Sequence, residues 1–328
     1  MNSPFPKSSS AAGEGRIVVK LLPSQVPALE SITYQYPLKL ISPSFKAEQK
    51  SVLVFLLSYG GGLVGGDQVN IAVDLQPQTK LSLVTQGHTK IFKPTSPGIV
   101  TRQTMHIDIH DGAGLCLLPD PVQPFEGSNY EQTQIFTLKG AASLCMLDWV
   151  THGRSARGEN WDLSRWSGRN EIWTSSPATS PKDRLLVRDT VILNGNTQAT
   201  GSKPLRDTMH RHAIFGTLLL RGPLTKSLGD FFLSEFVALP RLGARDFRTA
   251  KEKEEEAARS PLEKWRATRL LRESVDKVLW SAANVRGCVV VKFGASTVEA
   301  GRDWIGSMLM QEGSVANHFG NDALMCIR

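Results

Sequence analysis

Residues 69–75 read VNIAVDL, a stretch in which large apolar side chains alternate with small or polar ones. A period of two is typical of a β-strand with one buried face and one exposed face. The segment MHIDI at 105–109 repeats this pattern, and longer apolar runs follow at 184–193 and 213–222. Clusters of Gly, Pro, Ser and Asn separate the runs and mark turns. The sequence therefore predicts a stacked or wrapped β body from about residue 16 to about residue 240.

The chain changes character after this body. Charged residues of both signs are dense between 244 and 277, which is typical of a solvated helix face. The run Ser260–Glu263 combines a capping box with proline at the first helical position, so a helix is predicted to begin there. An apolar stripe on this helix is predicted from Leu271, Val275, Val278 and Leu279.

A short apolar strand, GCVVVKFG, and a second capped helix complete the C-terminal part. The second helix is predicted to begin within Ser296–Glu299. Its apolar side is predicted to consist of Trp304, Ile305 and Met308. The predicted fold class is thus mainly β, with one domain over 16–328 that ends in a small helical and strand part at 241–328. The Ser-, Pro- and Gly-rich residues 1–15 are predicted to be a disordered leader.

Composition indicates an ordinary globular protein with a basic charge balance. The 328 residues carry a formal charge of +7, but Lys and Arg are scattered and no stacking aromatics lie among them. A nucleic-acid surface is therefore not predicted. No apolar run approaches the length needed to cross a bilayer, and the first residues lack the apolar core of a secretory signal, so a cytoplasmic protein without membrane attachment is expected. Cys116, Cys145 and Cys288 are predicted to be buried and Cys326 to be exposed.

A glycine-rich loop, YGGGLVGGD at 59–67, follows a short apolar strand. Its G-x-G-x-x-G spacing is similar to a dinucleotide-binding fingerprint, which also requires a helix after the glycines and an acid about 20 residues further on. Here an alternating strand follows, and no acid lies between Asp74 and Asp108. The glycines are therefore interpreted as a tight turn between core strands, with a cofactor-binding enzyme that uses the Gly60–Gly66 loop as an alternative. Asp67 ends the turn, where its carboxylate is expected to be buried, paired or facing a metal.

Two further groups of polar residues are candidates for chemistry. His106, Asp108 and His110 lie on one face of a predicted strand, and a solvated face is favoured there over a metal site. The segment 148–159 collects carboxylate, imidazole and guanidinium groups after an apolar strand. It contains no nucleophile paired with a base at a recognisable spacing, so no catalytic residue is assigned. A salt-bridged turn and a functional site both fit this segment.

Four motifs, in this order along the chain, resemble the UreD family of urease accessory proteins, called UreH in some bacteria. They are GGLVGGD at 61–67, TQGHTKIF at 85–92, LPDPVQPF at 118–125 and GRSARGE at 153–159. The motif residues are Gly61, Gly62, Gly65, Gly66, Asp67, Thr85, Gln86, Lys90, Pro119, Phe125, Gly153, Arg154, Gly158 and Glu159. The resemblance extends from about Arg16 to the C-terminus.

Two positions depart from the bacterial pattern of this family. Cys116 stands where bacterial members usually carry an acid, and Asp120 replaces a common glutamine. The variant resembles the fungal, eukaryotic-type branch.

The resemblance implies a wrapped, β-helix-like body with a few helices, acting as a scaffold that is not an enzyme. It implies assembly with a UreF-like accessory protein and a UreG-like GTPase on apo-urease, to assist nickel insertion. It also implies transient nickel(II), with no cofactor of its own, moving along an internal polar passage. The candidate nickel ligands are Asp67, Asp148, His152 and Glu159. Two alternatives stay open: these residues only satisfy Arg154, Arg157 or backbone amides, and the protein is a β adaptor that is independent of metal.

Overall fold

The computed structural model describes residues 11–44, 49–176, 180–195, 203–239, 249, 251–252, 255 and 260–328. It is mainly β, with a small helical part at the C-terminus, as predicted. Residues 1–10 of the predicted leader and most of the charged segment before Ser260 lie outside the described residues. The first strand begins at Glu14, two residues before the predicted start of the body.

Two sheets, A and B, form the body. Sheet A consists of β1 (Glu14–Leu21), β2 (Pro27–Tyr34), β6 (Gln68–Leu75), β9 (Thr101–Ile109), β12 (Asn129–Lys139), β14 (Arg165–Ser176) and β15 (Ser180–Asn194). Sheet B consists of β3 (Leu38–Ile41), β4 (Val52–Ser58), β5 (Gly62–Leu63), β7 (Lys80–Val84), β8 (Thr89–Ile91), β10 (Gly114–Leu117), β11 (Val122–Pro124), β13 (Ser143–Thr151), β16 (Ile214–Arg221), β17 (Leu279–Val285) and β18 (Cys288–Ala295). The strand order in sheet A is β15-β14-β12-β9-β6-β1-β2.

The chain alternates between the two sheets as it advances. It passes from β6 in sheet A to β7 in sheet B, then to β9, β10, β12, β13 and β14, changing sheet at each of these steps. Successive strands within a sheet are therefore parallel, as between β6 and β9 or between β10 and β13. Parallel neighbours need a crossover, and here a strand of the opposite sheet supplies it. This winding confirms the wrapped, β-helix-like body.

The core between the sheets follows from the alternation in the sequence. The apolar residues of β6 and β9 face inward and are almost completely buried, whereas the residues between them face outward. His106 and Asp108 are exposed on the outer face, and His110 Nε2 lies 3.1 Å from Asp74 Oδ1. The predicted solvated face is confirmed. Strand β13 is buried along its whole length because helices cover the second face of sheet B.

The helices are α1 (Leu205–Thr208), α2 (Lys226–Val237), α3 (Pro261–Val275), α4 (Val298–Glu312) and α5 (Ser314–Phe319). Ser260 caps α3 as predicted, since its side chain accepts a hydrogen bond from the Glu263 amide. Thr297 caps α4 in the same way. The predicted apolar side of α4 is buried against sheet B. No helix in the described part of the chain is both long and apolar enough to cross a membrane.

The predicted apolar stripe near α3 lies largely at the surface and does not join the core. Leu271, Val275 and the nearby Leu279 are 66%, 70% and 65% exposed, and only Val278 packs partly against the core. The helix instead buries Arg269 and Glu273. Charged side chains face inward here because α2 and α4 supply polar partners for them. The spacing of apolar residues along α3 does not reveal these partners.

The prediction that Cys326 is exposed is also wrong. The last residues fold back onto sheet B, and the Cys326 thiol donates a hydrogen bond to the Thr85 carbonyl oxygen at 3.3 Å. The three other cysteines are buried, as predicted.

We expect the double substitution Leu271→Gln and Val275→Gln to reduce self-association of the isolated protein. Both side chains are largely exposed on one helix, so their replacement removes apolar surface and leaves the core intact. The free energy of unfolding should change by about 0.5 kcal/mol or less. Sedimentation velocity tests the association state, with Thr268→Gln on the same helix as the matched control. An unchanged distribution of species would contradict the expectation.

Candidate functional site

Sheet B divides into two branches on one side of its central strand, β13. The first four residues of β13 pair with β10, whereas Val150 near its end pairs with Val122 of β11. The first branch continues from β10 to β7, and the second continues from β11 to β8. Residues 85–88 lead from β7 to β8, and residues 118–121 lead from β10 to β11. Two of the sequence motifs therefore cross the gap between the branches.

The glycine-rich motif forms the outermost strand of the second branch. Gly62 pairs with Lys90 so closely that an added Cβ would lie 2.7 Å from the Lys90 carbonyl oxygen. The turn closes on Asp67, whose carboxylate accepts a hydrogen bond from the Val64 amide at 2.8 Å. Strand β6 follows, so no helix N-terminus is available here to hold a pyrophosphate. The interpretation of these glycines as a tight turn is confirmed.

The second, third and fourth motifs meet through a row of side chains. The rings of Phe92 and Phe125 pack edge to face, with 5.0 Å between their centroids. The guanidinium of Arg154 lies 3.8 Å from the centroid of the Phe125 ring. Arg154 also donates hydrogen bonds to Glu159 from its Nε, at 2.9 Å, and from its backbone amide, at 2.8 Å. Burial alone would raise the pKa of Glu159, but these hydrogen bonds hold it below the ordinary value. We call this group, with the glycine turn, the motif cluster.

Asp120 joins the two loops in the gap of sheet B. Its Oδ2 accepts hydrogen bonds from the Thr85 hydroxyl at 3.0 Å and from the Gly87 amide at 2.9 Å. Its Oδ1 accepts from Arg302 of α4 at 3.0 Å. Arg302 also donates to the Cys326 carbonyl oxygen, so one carboxylate connects both loops with the C-terminus.

A polar layer crosses the otherwise apolar space between the sheets. Its members are Gln132, Gln134, Asp148, Asn170, Asp189 and Lys292. Asp148 projects from sheet B and accepts hydrogen bonds from the amide groups of Gln132, at 3.0 Å, and of Asn170, at 2.7 Å, in sheet A. Burial raises the pKa of the Asp148 carboxyl, and the two amides oppose that rise.

The polar layer reaches the surface at its far end. Asp189 lies beside Asn170 across the pair β14 and β15, and Lys292 donates to Asp189 at 2.6 Å. Thr217 lies between Asp148 and Lys292 in the register of sheet B. The Lys292 side chain is 36% exposed and that of Asp189 is 13% exposed. The layer therefore runs from a buried carboxylate to a partly exposed ion pair.

The near end of the layer adjoins the gap in sheet B. A small cavity of about 30 Å³ touches Gln132, Asp148 and Asp120, which is enough room for a water molecule. Asp120 and Thr85 also border an open groove of about 490 Å³ on the outside, beside Cys326. Asp120 thus stands between the outer groove and the polar interior.

The four predicted nickel ligands are not brought together. Asp148 is in the polar layer, whereas Asp67 and Glu159 accept hydrogen bonds at their own turns. His152 Nδ1 lies 2.9 Å from the Ala213 carbonyl oxygen. Among the described residues, no three His, Cys, Asp or Glu side chains are grouped as a metal site.

The remaining members of the layer were not identified from the sequence. Asn170 lies at an inward position of β14 and Lys292 at an inward position of an apolar strand. The sequence signal that could have identified them is a polar residue on the buried face of a strand, because such a residue needs a buried hydrogen-bond partner. Asp120 was noticed only as a departure from the bacterial motif.

The comparison with known proteins agrees with the geometry of the motif cluster. The family model described as UreD urease accessory protein matches residues 12–324. An uncharacterized ureD-like urease accessory protein of Schizosaccharomyces pombe is 30% identical over 93% of this chain and 96% of its own length. Urease accessory protein 4 of Cryptococcus neoformans is 34% identical over 67% of this chain and 73% of its own, and UreD of Sorangium cellulosum is 34% identical over 70% and 67%. The chain belongs to the UreD family of urease accessory proteins, a family that serves urease maturation.

Proposed function

We propose that this protein is a non-catalytic scaffold that assembles with a UreF-like protein and a UreG-like GTPase on apo-urease and passes nickel to the urease active site. The observation that carries the proposal is the polar layer, because a path for a cation through a β sandwich needs polar groups where apolar side chains ordinarily pack. The cation would enter at the outer groove, pass Asp120, and move along the layer by way of Asp148.

The chemistry of the layer suits transport better than storage. Carboxylate and amide oxygens bind nickel(II) more weakly than a closed set of thiolate and imidazole ligands. Asp148 offers one buried carboxylate among amides, so a cation would gain one full charge interaction and little else. Weak, successive contacts let an ion enter and leave.

The other three candidate ligands have contacts of their own, and His152 Nδ1 lies 2.9 Å from the Ala213 carbonyl oxygen. Asp67 and Glu159 already accept hydrogen bonds that close their own turns, and Arg154 neutralises the charge of Glu159. We therefore assign Asp67 and Glu159 to the shape of the motif cluster and keep Asp148 as the ligand inside the path. A metal-independent adaptor would need the cluster but would not need a charged residue at position 148.

We expect Asp148→Asn to lower urease activation about tenfold while assembly of the complex stays normal. The substitution is nearly isosteric and removes a charge whose burial opposes folding, so the protein should remain folded. Activation is measured as urease activity after incubation with limiting nickel, and assembly by co-purification of all partners. Asp108→Asn, on the exposed outer face of sheet A, is the matched control.

The pH dependence of stability checks the state of this carboxyl. Because its folded pKa is raised, the folded chain binds a proton more tightly than the unfolded chain does, and this contribution is lost as pH rises through the folded pKa. The wild-type protein should therefore gain stability relative to Asp148→Asn as pH falls. Normal activation by Asp148→Asn would refute the nickel path, and loss of assembly would point to a purely structural role.

A further inference from the structure

We propose that Lys292 makes the polar layer selective for divalent over monovalent cations. The inference rests on the proposed function, because it concerns the far end of the same path. The Lys292 ammonium lies 2.6 Å from Asp189 Oδ1, at the end of the layer that reaches the surface. The Lys292 ammonium is thus already paired with Asp189, the carboxylate that a cation would contact at this end of the layer.

The surroundings of Asp189 leave room for a stronger cation. Its second oxygen, Oδ2, is buried and has no hydrogen-bond partner among the described residues. Asp148 is close enough that the charge of Asp189 raises the pKa of Asp148 while Lys292 lowers it. Two carboxylates therefore share the single positive charge of Lys292. One oxygen of Asp189 remains without a hydrogen bond from the described residues.

Lys292 belongs to sheet B, while Asp189 belongs to sheet A. The ammonium thus reaches across the space between the sheets on a flexible stem of four carbons. A lysine is a compact point charge that can swing away, unlike an arginine fixed by two parallel hydrogen bonds. Its partial exposure gives the released ammonium direct access to water.

The charge of a cation decides whether it can replace the Lys292 ammonium at Asp189. At equal distance, a divalent ion attracts each carboxylate about twice as strongly as an ammonium does. Sodium and potassium ions carry the same single charge as Lys292. They must also bind from solution, whereas Lys292 is covalently attached to the chain beside Asp189. Monovalent ions are thus excluded by a residue that is always present at high effective concentration. A divalent ion gains from both carboxylates and displaces the lysine.

The test uses the isolated full-length chain and follows its melting temperature. In the wild-type protein, potassium chloride should give the same shift as tetramethylammonium chloride at equal ionic strength, because neither cation replaces the lysine. In Lys292→Met, which keeps the stem and removes the charge, potassium should raise the melting temperature by several degrees more than tetramethylammonium. Lys292→Arg keeps the charge and should behave as wild type. Adding Asp189→Asn to Lys292→Met should abolish the potassium response.

A second measurement does not depend on any variant. Modification of Lys292 by an amine reagent, followed by mass spectrometry, should be accelerated severalfold by nickel(II) and unaffected by potassium. Lys20, which is paired with Glu30 on the surface, is the internal control. An equal response of Lys292→Met and wild type to potassium, or modification of Lys292 that nickel leaves unchanged, overturns the inference. These outcomes are independent of urease activation, so the nickel path tested with Asp148→Asn can hold while the role of Lys292 fails.

Discussion

Glu235→Ala is expected to lower the free energy of unfolding by about 3 kcal/mol, because it removes one of the two carboxylates that pair with the buried Arg269 guanidinium. Glu235 is completely buried in α2. It accepts hydrogen bonds from Arg266 Nε at 2.9 Å and from Arg269 Nη2 at 3.1 Å, both on α3. Arg269 is itself 5% exposed and also binds Glu273, which in turn accepts from the Trp304 indole of α4 at 2.8 Å. The carboxylates of Glu235 and Glu273 thus link the three helices α2, α3 and α4.

Chemical denaturation monitored by tryptophan fluorescence measures this loss. The matched control is Asp230→Ala, which removes an acid from the same helix and breaks the exposed pair of Lys226 and Asp230 at 2.5 Å. Exposed pairs contribute about 1 kcal/mol or less, so the control should stay close to wild type. Similar losses for the two variants would show that the buried network has no special role in stability.

The same network explains why the orientation of α3 could not be predicted from its sequence. The capping box at Ser260 defines the start of the helix through local hydrogen bonds, and such contacts depend on nearby residues alone. The face that α3 buries depends on α2, which lies far away in the sequence. Leu271 and Val275 suggested an apolar face, but the carboxylate of Glu235 selects the face that carries Arg269. The strands of the body were predicted more securely, since alternation such as that of 69–75 records one buried face directly.

In the candidate site, too, the features that depend on neighbouring residues were predicted, and those that depend on residues far apart in the sequence were not. The glycine turn was correctly interpreted because the strand after it is visible in the sequence. The convergence of the four motifs depends on the division of sheet B, which no single segment encodes. Lys292 and Asp189 are 103 residues apart and meet only because the two sheets are stacked. Buried polar residues on alternating strands are the general sign of such a layer, but their partners are set by the winding of the chain.

Asp120→Asn is expected to make Cys326 markedly more reactive and to destabilise the fold. The Cys326 thiol is buried beside Thr85, and burial followed by the negative charge of Asp120 raises its pKa to about 11. Removing that charge lowers the pKa, and each unit of decrease raises the thiolate fraction about tenfold at lower pH. The substitution also breaks the ion pair with Arg302, which should cost about 1–3 kcal/mol.

The rate of modification by a thiol reagent at pH 8 measures the change at Cys326, because the thiolate is the form that reacts. Cys116, Cys145 and Cys288 are buried and serve as internal controls that should stay unreactive in the folded protein. Asp322→Asn, an exposed acid four residues before Cys326, is the matched variant and should leave the rate unchanged. A rate that rises at all four cysteines would indicate global unfolding. An unchanged rate at Cys326 would mean that the charge of Asp120 does not control the reactivity of the thiol.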